Sequence, residues 1–275
     1  MSLYHSIFWV FIFVLGTIFG SFLNVVIYRT GSARYSGRSR CLSCGKALAP
    51  FMLIPLFSFL FQRARCFYCG TKLSWQYPLV EGLAGMLFLI TWWVTKFDPL
   101  AFDVSAATFF VLDATIWMVL LAITVYDFRH KIIPDRFAFC FALLAGGTLF
   151  LKWHWGVFTP HFIPLLGIYI PTWIEFLAGP LLALPFALLW LISRGRAMGL
   201  GDAKLAWGIG WFLGFSGGVS AVVFAFWSAF FPSIILLFLP RKRFTMKSEI
   251  PFAPFLILGT LIVFAWGIDI LSWTL

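Results

Sequence analysis

Apolar and polar positions along this chain alternate in blocks rather than within short periods. Uncharged runs long enough to cross about 30 Å of hydrocarbon recur from end to end. The first, 7–28 (IFWVFIFVLGTIFGSFLNVVIY), holds no charge. It is longer than the apolar region of a secretory signal and no basic stretch precedes it, so it reads as a retained span. Hydropathy predicts eight helices in all: 7–28, 79–95, 105–126, 137–151, 174–193, 203–216, 218–239 and 252–273. The fourth and sixth are short. The sixth is the least secure, because Gly208, Gly210, Gly214, Gly217 and Gly218 weaken it, although glycine also lets membrane helices pack closely. The expected fold is an all-α integral membrane protein of about eight transmembrane helices. Its parts are a first helix (1–28), a cytoplasmic four-cysteine insert (29–78) and a seven-helix membrane core (79–275).

Composition agrees: 62% of the 275 residues are hydrophobic and 11% charged, against roughly a quarter charged in soluble domains. The net charge of +10 does not point to nucleic acid, because its distribution follows topology. With the amino terminus outside, the inside segments 29–78, 127–136, 194–204 and 240–250 hold 18 of the 20 Lys and Arg residues. Only Lys96 and Lys152 remain outside. Such asymmetry orients a multi-pass protein in the cytoplasmic membrane. The outer loop 152–173 is rich in Trp, Pro and Tyr, which suits a membrane interface, and no function is read from it.

The insert carries two CxxC pairs, Cys41/Cys44 (CLSCG) and Cys66/Cys69 (CFYCG), with 21 residues between them. Two such turns supply four thiolates to one tetrahedral zinc. A reducing cytoplasm disfavours disulfides, and so small an insert needs a staple. Four Cys ligands leave no open position, so the zinc is structural. Cys140 lies in the fourth span and reads as packing.

Acids at membrane depth are costly and default to function. Asp98, Asp103, Glu175, Glu249 and Asp269 sit at span ends as interfacial or capping groups. Asp113, inside the third span, reads first as an interhelical hydrogen-bonding group. Glu81, Asp127, Asp135 and Asp202 remain on the cytoplasmic side. Asp127 ends the third span in VYDFRHKIIPD and Asp202 opens the sixth in MGLGDAKL. Gly199 and Gly201 remove side chains beside Asp202, so a substrate backbone can approach it. Two carboxyl groups sharing one proton can hydrolyse a peptide, one activating water and the other polarising the carbonyl. Position alone leaves a plainer reading equally open, with Asp202 a helix N-cap and Asp127 a loop acid. A helix start favours negative charge, which inclines the base role to Asp202 and the acid role to Asp127. No GxSxG occurs, and the placement of the four histidines does not fit a nucleophilic hydrolase.

Taken in order, these segments resemble the type IV prepilin peptidases, members of the wider GxGD aspartyl protease group. The resemblance is carried by GSFLNVVIYR (20–29), the paired CxxC insert, SWQYPLVE (74–81), DFRHKIIPD (127–135), GLGDAKL (199–205) and IPFAPFLILG (250–259). It implies an eight-span protease with catalytic Asp127 and Asp202, Asp135 being the alternative for the first role. Gly199, Gly201, Lys204 and Asp135 would support the site. The implied substrate is a prepilin or pseudopilin whose short basic leader lies in the cytoplasm and is cut after a Gly. The resemblance also implies methylation of the new amino terminus from S-adenosylmethionine, associated with the insert. The chain departs from the pattern at Phe51-Met52, where many relatives carry an aromatic and then a polar or acidic residue. Membrane lipid is the other expected partner; oligomeric state is not legible. Competing readings are a GxGD protease for another membrane substrate and a non-enzymatic transporter or assembly scaffold.

Overall fold

A computed structural model describes residues 3–30, 37–98, 100, 101, 103–157, 161–163, 168–196, 198–238 and 251–271. Among the described residues, eight helices of the α type form in chain order: α1 Leu3–Arg29, α2 Phe57–Phe61, α3 Gln76–Thr95, α4 Val104–His130, α5 Asp135–His154, α6 Ile174–Ser193, α7 Leu200–Phe238 and α8 Ala253–Trp266. Six of them are long and apolar enough to cross a membrane; α2 is a single turn and α8 is a shorter apolar helix. The basic segment 240–250 lies outside the described residues. Among the described residues, strand is confined to a small antiparallel hairpin in the predicted loop 152–173, β1 (His161–Ile163) against β2 (Ile168–Ile170), with Phe162 opposite Tyr169.

The chain divides into two compact units, Met1–Ala122 and Ile123–Leu275. In the first, α1 lies along α3 through small residues. A Cβ on Gly16 would meet the Ala84 carbonyl at 2.7 Å, and one on Gly20 the Ala84 side chain at 2.7 Å. The two glycines are four residues apart, the spacing that lets membrane helices approach closely. α4 opens with Asp103, whose carboxylate accepts the Ser105 and Ala106 N–H groups at 2.9 and 3.2 Å. The Ser105 hydroxyl and these amides hold that carboxyl below its ordinary range. Because its pKa is depressed, the cap is made at neutral pH and is lost as pH falls through the folded-state value.

In the second unit the two helices predicted at 203–216 and 218–239 form one run, α7, broken at Gly214 (φ 79°, ψ 178°). A Cβ on Gly218 would lie 3.4 Å from the Gly210 Cα. Eight residues of straight helix would separate the two positions by about 12 Å, so the chain folds back on itself. α7 is therefore a helical hairpin, and the two predicted spans are its arms. Glu175, buried at the start of α6, caps the second arm: its Oε2 accepts the Phe215 N–H at 2.8 Å. Trp211 Nε1 donates to the Phe176 carbonyl at 2.9 Å and ties the first arm to α6. Phe212 stacks on Phe264 of α8. Beyond α8, Asp269 accepts the Ser216 hydroxyl at 2.5 Å.

The Gly214 conformation is open essentially to glycine alone, and a Cβ there would fall 2.6 Å from Glu175 Oε2. Gly214→Ala is expected to destabilise the fold by about 3 kcal/mol. Thermal unfolding in detergent checks this, and an unchanged midpoint would contradict the reversal.

Candidate functional site

Asp127 and Asp202 are brought together within the second unit by the segment that follows α4. The helix runs past Asp127 to His130, four residues beyond the predicted end. It is closed by a left-handed Lys131, whose N–H donates to the Asp127 carbonyl at 2.8 Å. The chain then turns, and Ile133 packs on Gly201 at the start of α7. A Cβ on Gly201 would come within 3.0 Å of the Ile133 Cβ. Pro134 starts α5, and Asp135 in its first turn accepts the Lys204 ammonium at 2.5 Å. Two separate contacts thus hold the beginning of α7 against the end of α4.

Asp127 is 5% exposed and Asp202 9%. Their carboxyl groups are near enough for the two charges to repel. Each also meets a backbone donor. Asp127 accepts the N–H of Ala253, the first residue of α8, and Asp202 that of Gly199. The α8 contact had no sequence signal, since Ala253 carries no functional side chain. Gly199 and Gly201 separate in role. A Cβ on Gly199 would stand 3.8 Å from Asp202 Oδ2, in the space over the carboxylate, whereas the space at Gly201 is filled by Ile133.

Asp135 is unlike the buried pair. Its side chain is 79% exposed and that of Lys204 42%. An exposed ion pair contributes at most about 1 kcal/mol. Lys204→Met is therefore expected to leave the unfolding midpoint nearly unchanged, and a large drop would show a structural role for the pair. The pair lies at a cavity of about 520 Å³ between α5 and α7, lined otherwise by apolar groups including Phe139, Leu143, Trp207 and Trp211. An apolar helix or acyl chain fits such a surface better than a soluble polar molecule does.

In the first unit the four predicted cysteines converge. Their sulfur atoms lie within 4.8 Å of one another, and Cys41 Sγ to Cys69 Sγ is 3.8 Å. Tetrahedral zinc with Zn–S bonds of about 2.3 Å places its sulfurs about 3.8 Å apart, so the group fits. All four are free thiols. The two CxxC turns are built alike. Gly45 and Gly70 both take φ +70°; their N–H groups return to the Cys41 and Cys66 carbonyls, each at 2.9 Å. Paired bridges Arg40↔Ala47 and Arg65↔Lys72 flank the turns. Amides aimed at sulfur favour thiolate. The Cys44 and Ser43 N–H groups hold the Cys41 thiol down, and the Thr71 hydroxyl and N–H pull Cys69 to about 6. The Lys46 N–H draws Cys44 down, but desolvation and the neighbouring Cys41 and Cys69 thiols push it the other way, to about 11. Four thiols gathered this closely are a site that a divalent cation would complete.

Two further acids are buried. Glu81 is buried and accepts the Leu56 N–H at 2.8 Å. Asp113 is buried within α4. Cys140 is exposed on α5 rather than packed as expected, and it is not a member of the thiol cluster.

Comparison with known proteins gives consistent matches. Residues 14–95 match the bacterial peptidase A24 N-terminal domain and residues 114–239 the type IV leader peptidase family. A prepilin leader peptidase/N-methyltransferase of Myxococcus xanthus is 34% identical over 70% of this chain and 66% of its own length. Proteins of the same name from Aeromonas salmonicida and Burkholderia pseudomallei are 29% and 30% identical. Those alignments cover 100% and 90% of this chain and 97% and 82% of the relatives. No solved structure gives a match. With one family model on each side of residue 100 and relatives that align along its whole length, this chain belongs to the type IV leader peptidases, the prepilin peptidase family.

Proposed function

We propose that the chain is a membrane-embedded aspartyl endopeptidase that removes the short basic leader of type IV prepilins or pseudopilins, with Asp127 and Asp202 as its catalytic pair. The observation that carries the reading is the burial of Asp127 near the end of α4 and of Asp202 in the first turn of α7, which the packing of Ile133 on Gly201 draws into one neighbourhood. Acids held out of water at membrane depth are costly, and such groups point by default to function. One proton is shared by the pair. The ionised carboxylate takes a proton from a water between the two groups while the protonated partner hydrogen-bonds the scissile carbonyl. Hydroxide adds to the carbonyl carbon, and the proton just gained passes to the leaving nitrogen. The Ala253 and Gly199 amides hold the two side chains in place. The space over Gly199 admits the substrate backbone, and the cavity beyond Lys204–Asp135 seats its apolar helix.

The charge distribution supports an amino terminus outside and a site open to the cytoplasm, where the basic leader lies. It also makes 29–78 a cytoplasmic insert. Zinc on Cys41, Cys44, Cys66 and Cys69 would cross-link that insert and supply no chemistry to the reaction. The relatives' names pair the peptidase with an N-methyltransferase, which supports methylation of the new amino terminus. S-adenosylmethionine is the proposed donor and the insert the proposed seat of that activity. Incubating the purified full-length protein with a prepilin and a labelled methyl donor tests both activities. Cleavage with label on the product is expected. Cleavage without label would remove the transferase half, and an intact prepilin would remove the whole reading in favour of another substrate or a scaffold.

A further inference from the structure

α2 turns its apolar side outward. Phe57, Leu60 and Phe61 are exposed, Phe61 at 92%, while Phe59 is buried against Trp75 with ring centroids 5.0 Å apart. Positions i, i+3 and i+4 share one helix face, so the three exposed groups form a single apolar ridge. Leu53 and Ile54, just before α2, extend it. The segment is too short to cross a bilayer.

The height of this ridge is fixed by Glu81. Leu56 N–H donates to Glu81 Oε2 at 2.8 Å. Glu81 lies five residues into α3, about 7.5 Å along the axis from its first residue. α3 is itself long and apolar enough to span. The start of α2 therefore sits level with the first turns of a span, the depth of the boundary between headgroups and acyl chains. Leu56 is also strained: its φ of 61° and ψ of −51° make a γ-turn closed by Phe57 N–H on the Pro55 carbonyl. This positive-φ form is rare, and the buried carboxylate holds it.

The charge around the ridge has one sign. Arg63, Arg65 and Lys72 follow it in the chain and are exposed, Arg65 and Lys72 being paired across a bridge, and residues 29–78 contain no Asp or Glu. An apolar wedge at interfacial depth with a basic margin suits an anionic lipid surface. We infer that α2 is an interfacial anchor, with Phe57, Leu60 and Phe61 among the acyl chains and Arg63, Arg65 and Lys72 on anionic headgroups. The anchor sets the cysteine insert at a constant height over the membrane. It stands independently of the peptidase reading.

The test places a photoreactive benzoylphenylalanine at Phe57 or Phe61 of the full chain in nanodiscs. Discs contain phosphatidylcholine alone or with phosphatidylglycerol. Lipid adducts are expected at both positions, enriched with phosphatidylglycerol. Arg63→Gln, Arg65→Gln and Lys72→Gln should each reduce that enrichment, by roughly fivefold. No lipid adduct, an adduct to added prepilin instead, or an enrichment indifferent to the three charges would overturn the anchor. Amide exchange of the unmodified protein gives a second reading. Residues 57–63 should exchange about tenfold more slowly with phosphatidylglycerol present, and equal rates in both lipids would overturn it.

Discussion

Asp127→Asn or Asp202→Asn is expected to lower prepilin cleavage by about a thousandfold or more while the chain still folds into the membrane. The size of the effect follows from what the pair does. An asparagine at either position cannot hold the shared proton, so water activation and carbonyl polarisation fail together, and the two single variants should be equally inactive. Folding should survive, because each change removes a buried charge and keeps the shape of the side chain. The contrast is Asp135→Asn. Asp135 is exposed and engaged by Lys204, so its variant should keep cleavage within about tenfold of the parent. A gel that separates precursor from mature pilin in coexpressing cells reads all three. An inactive Asp135→Asn beside an active Asp127→Asn would move the first catalytic role to Asp135.

The second large effect concerns the thiol cluster. The purified protein is expected to carry about one zinc per chain, and Cys69→Ser or Cys41→Ser should lose it. Structural zinc in small modules supplies on the order of 10 kcal/mol of folding free energy, far more than the few buried side chains of the insert, Met52 and Phe59 among them, can supply. Without metal the insert should become protease-sensitive, and methyl transfer should fall with it. Cleavage should be much less affected, because Asp127 and Asp202 belong to the other unit. Acidification should release zinc, since thiolates must be reprotonated. Elemental analysis and X-ray absorption check the content and the four-sulfur shell. Four alkylatable thiols and no zinc would refute the assignment.

Much of this was legible because membrane solvent is unforgiving. Spans stand out as uncharged runs, and an acid at membrane depth is conspicuous, so Asp127 and Asp202 fall among four acids on the cytoplasmic side, and the family resemblance singles out the pair. The cysteines were legible for a different reason. Paired CxxC-Gly turns fold locally, and Gly45 and Gly70 take the positive φ that such turns need. What escaped notice depends on distant contacts. Five glycines between 208 and 218 offered several places to break, and only the reach of Glu175 to Phe215 selects Gly214. The sequence places Glu81 among the acids on the cytoplasmic side, but nothing local says that it holds Leu56.

The acid and base roles also look different with the structure in hand. Sequence position favoured Asp202 as the base, because it opens a helix. Asp127, however, receives the Ala253 N–H from the start of α8, so both carboxyl groups meet a donor at a helix N-terminus. That criterion no longer separates them, and the shared proton is best assigned to the pair.

The most direct test is mass spectrometry of the pilin amino terminus after incubation with the full-length protein in nanodiscs. With the parent protein, the product should begin immediately after the leader Gly, and with the Asp127→Asn/Asp202→Asn double variant the leader should remain attached. A leader removed equally by both proteins would contradict the aspartyl pair.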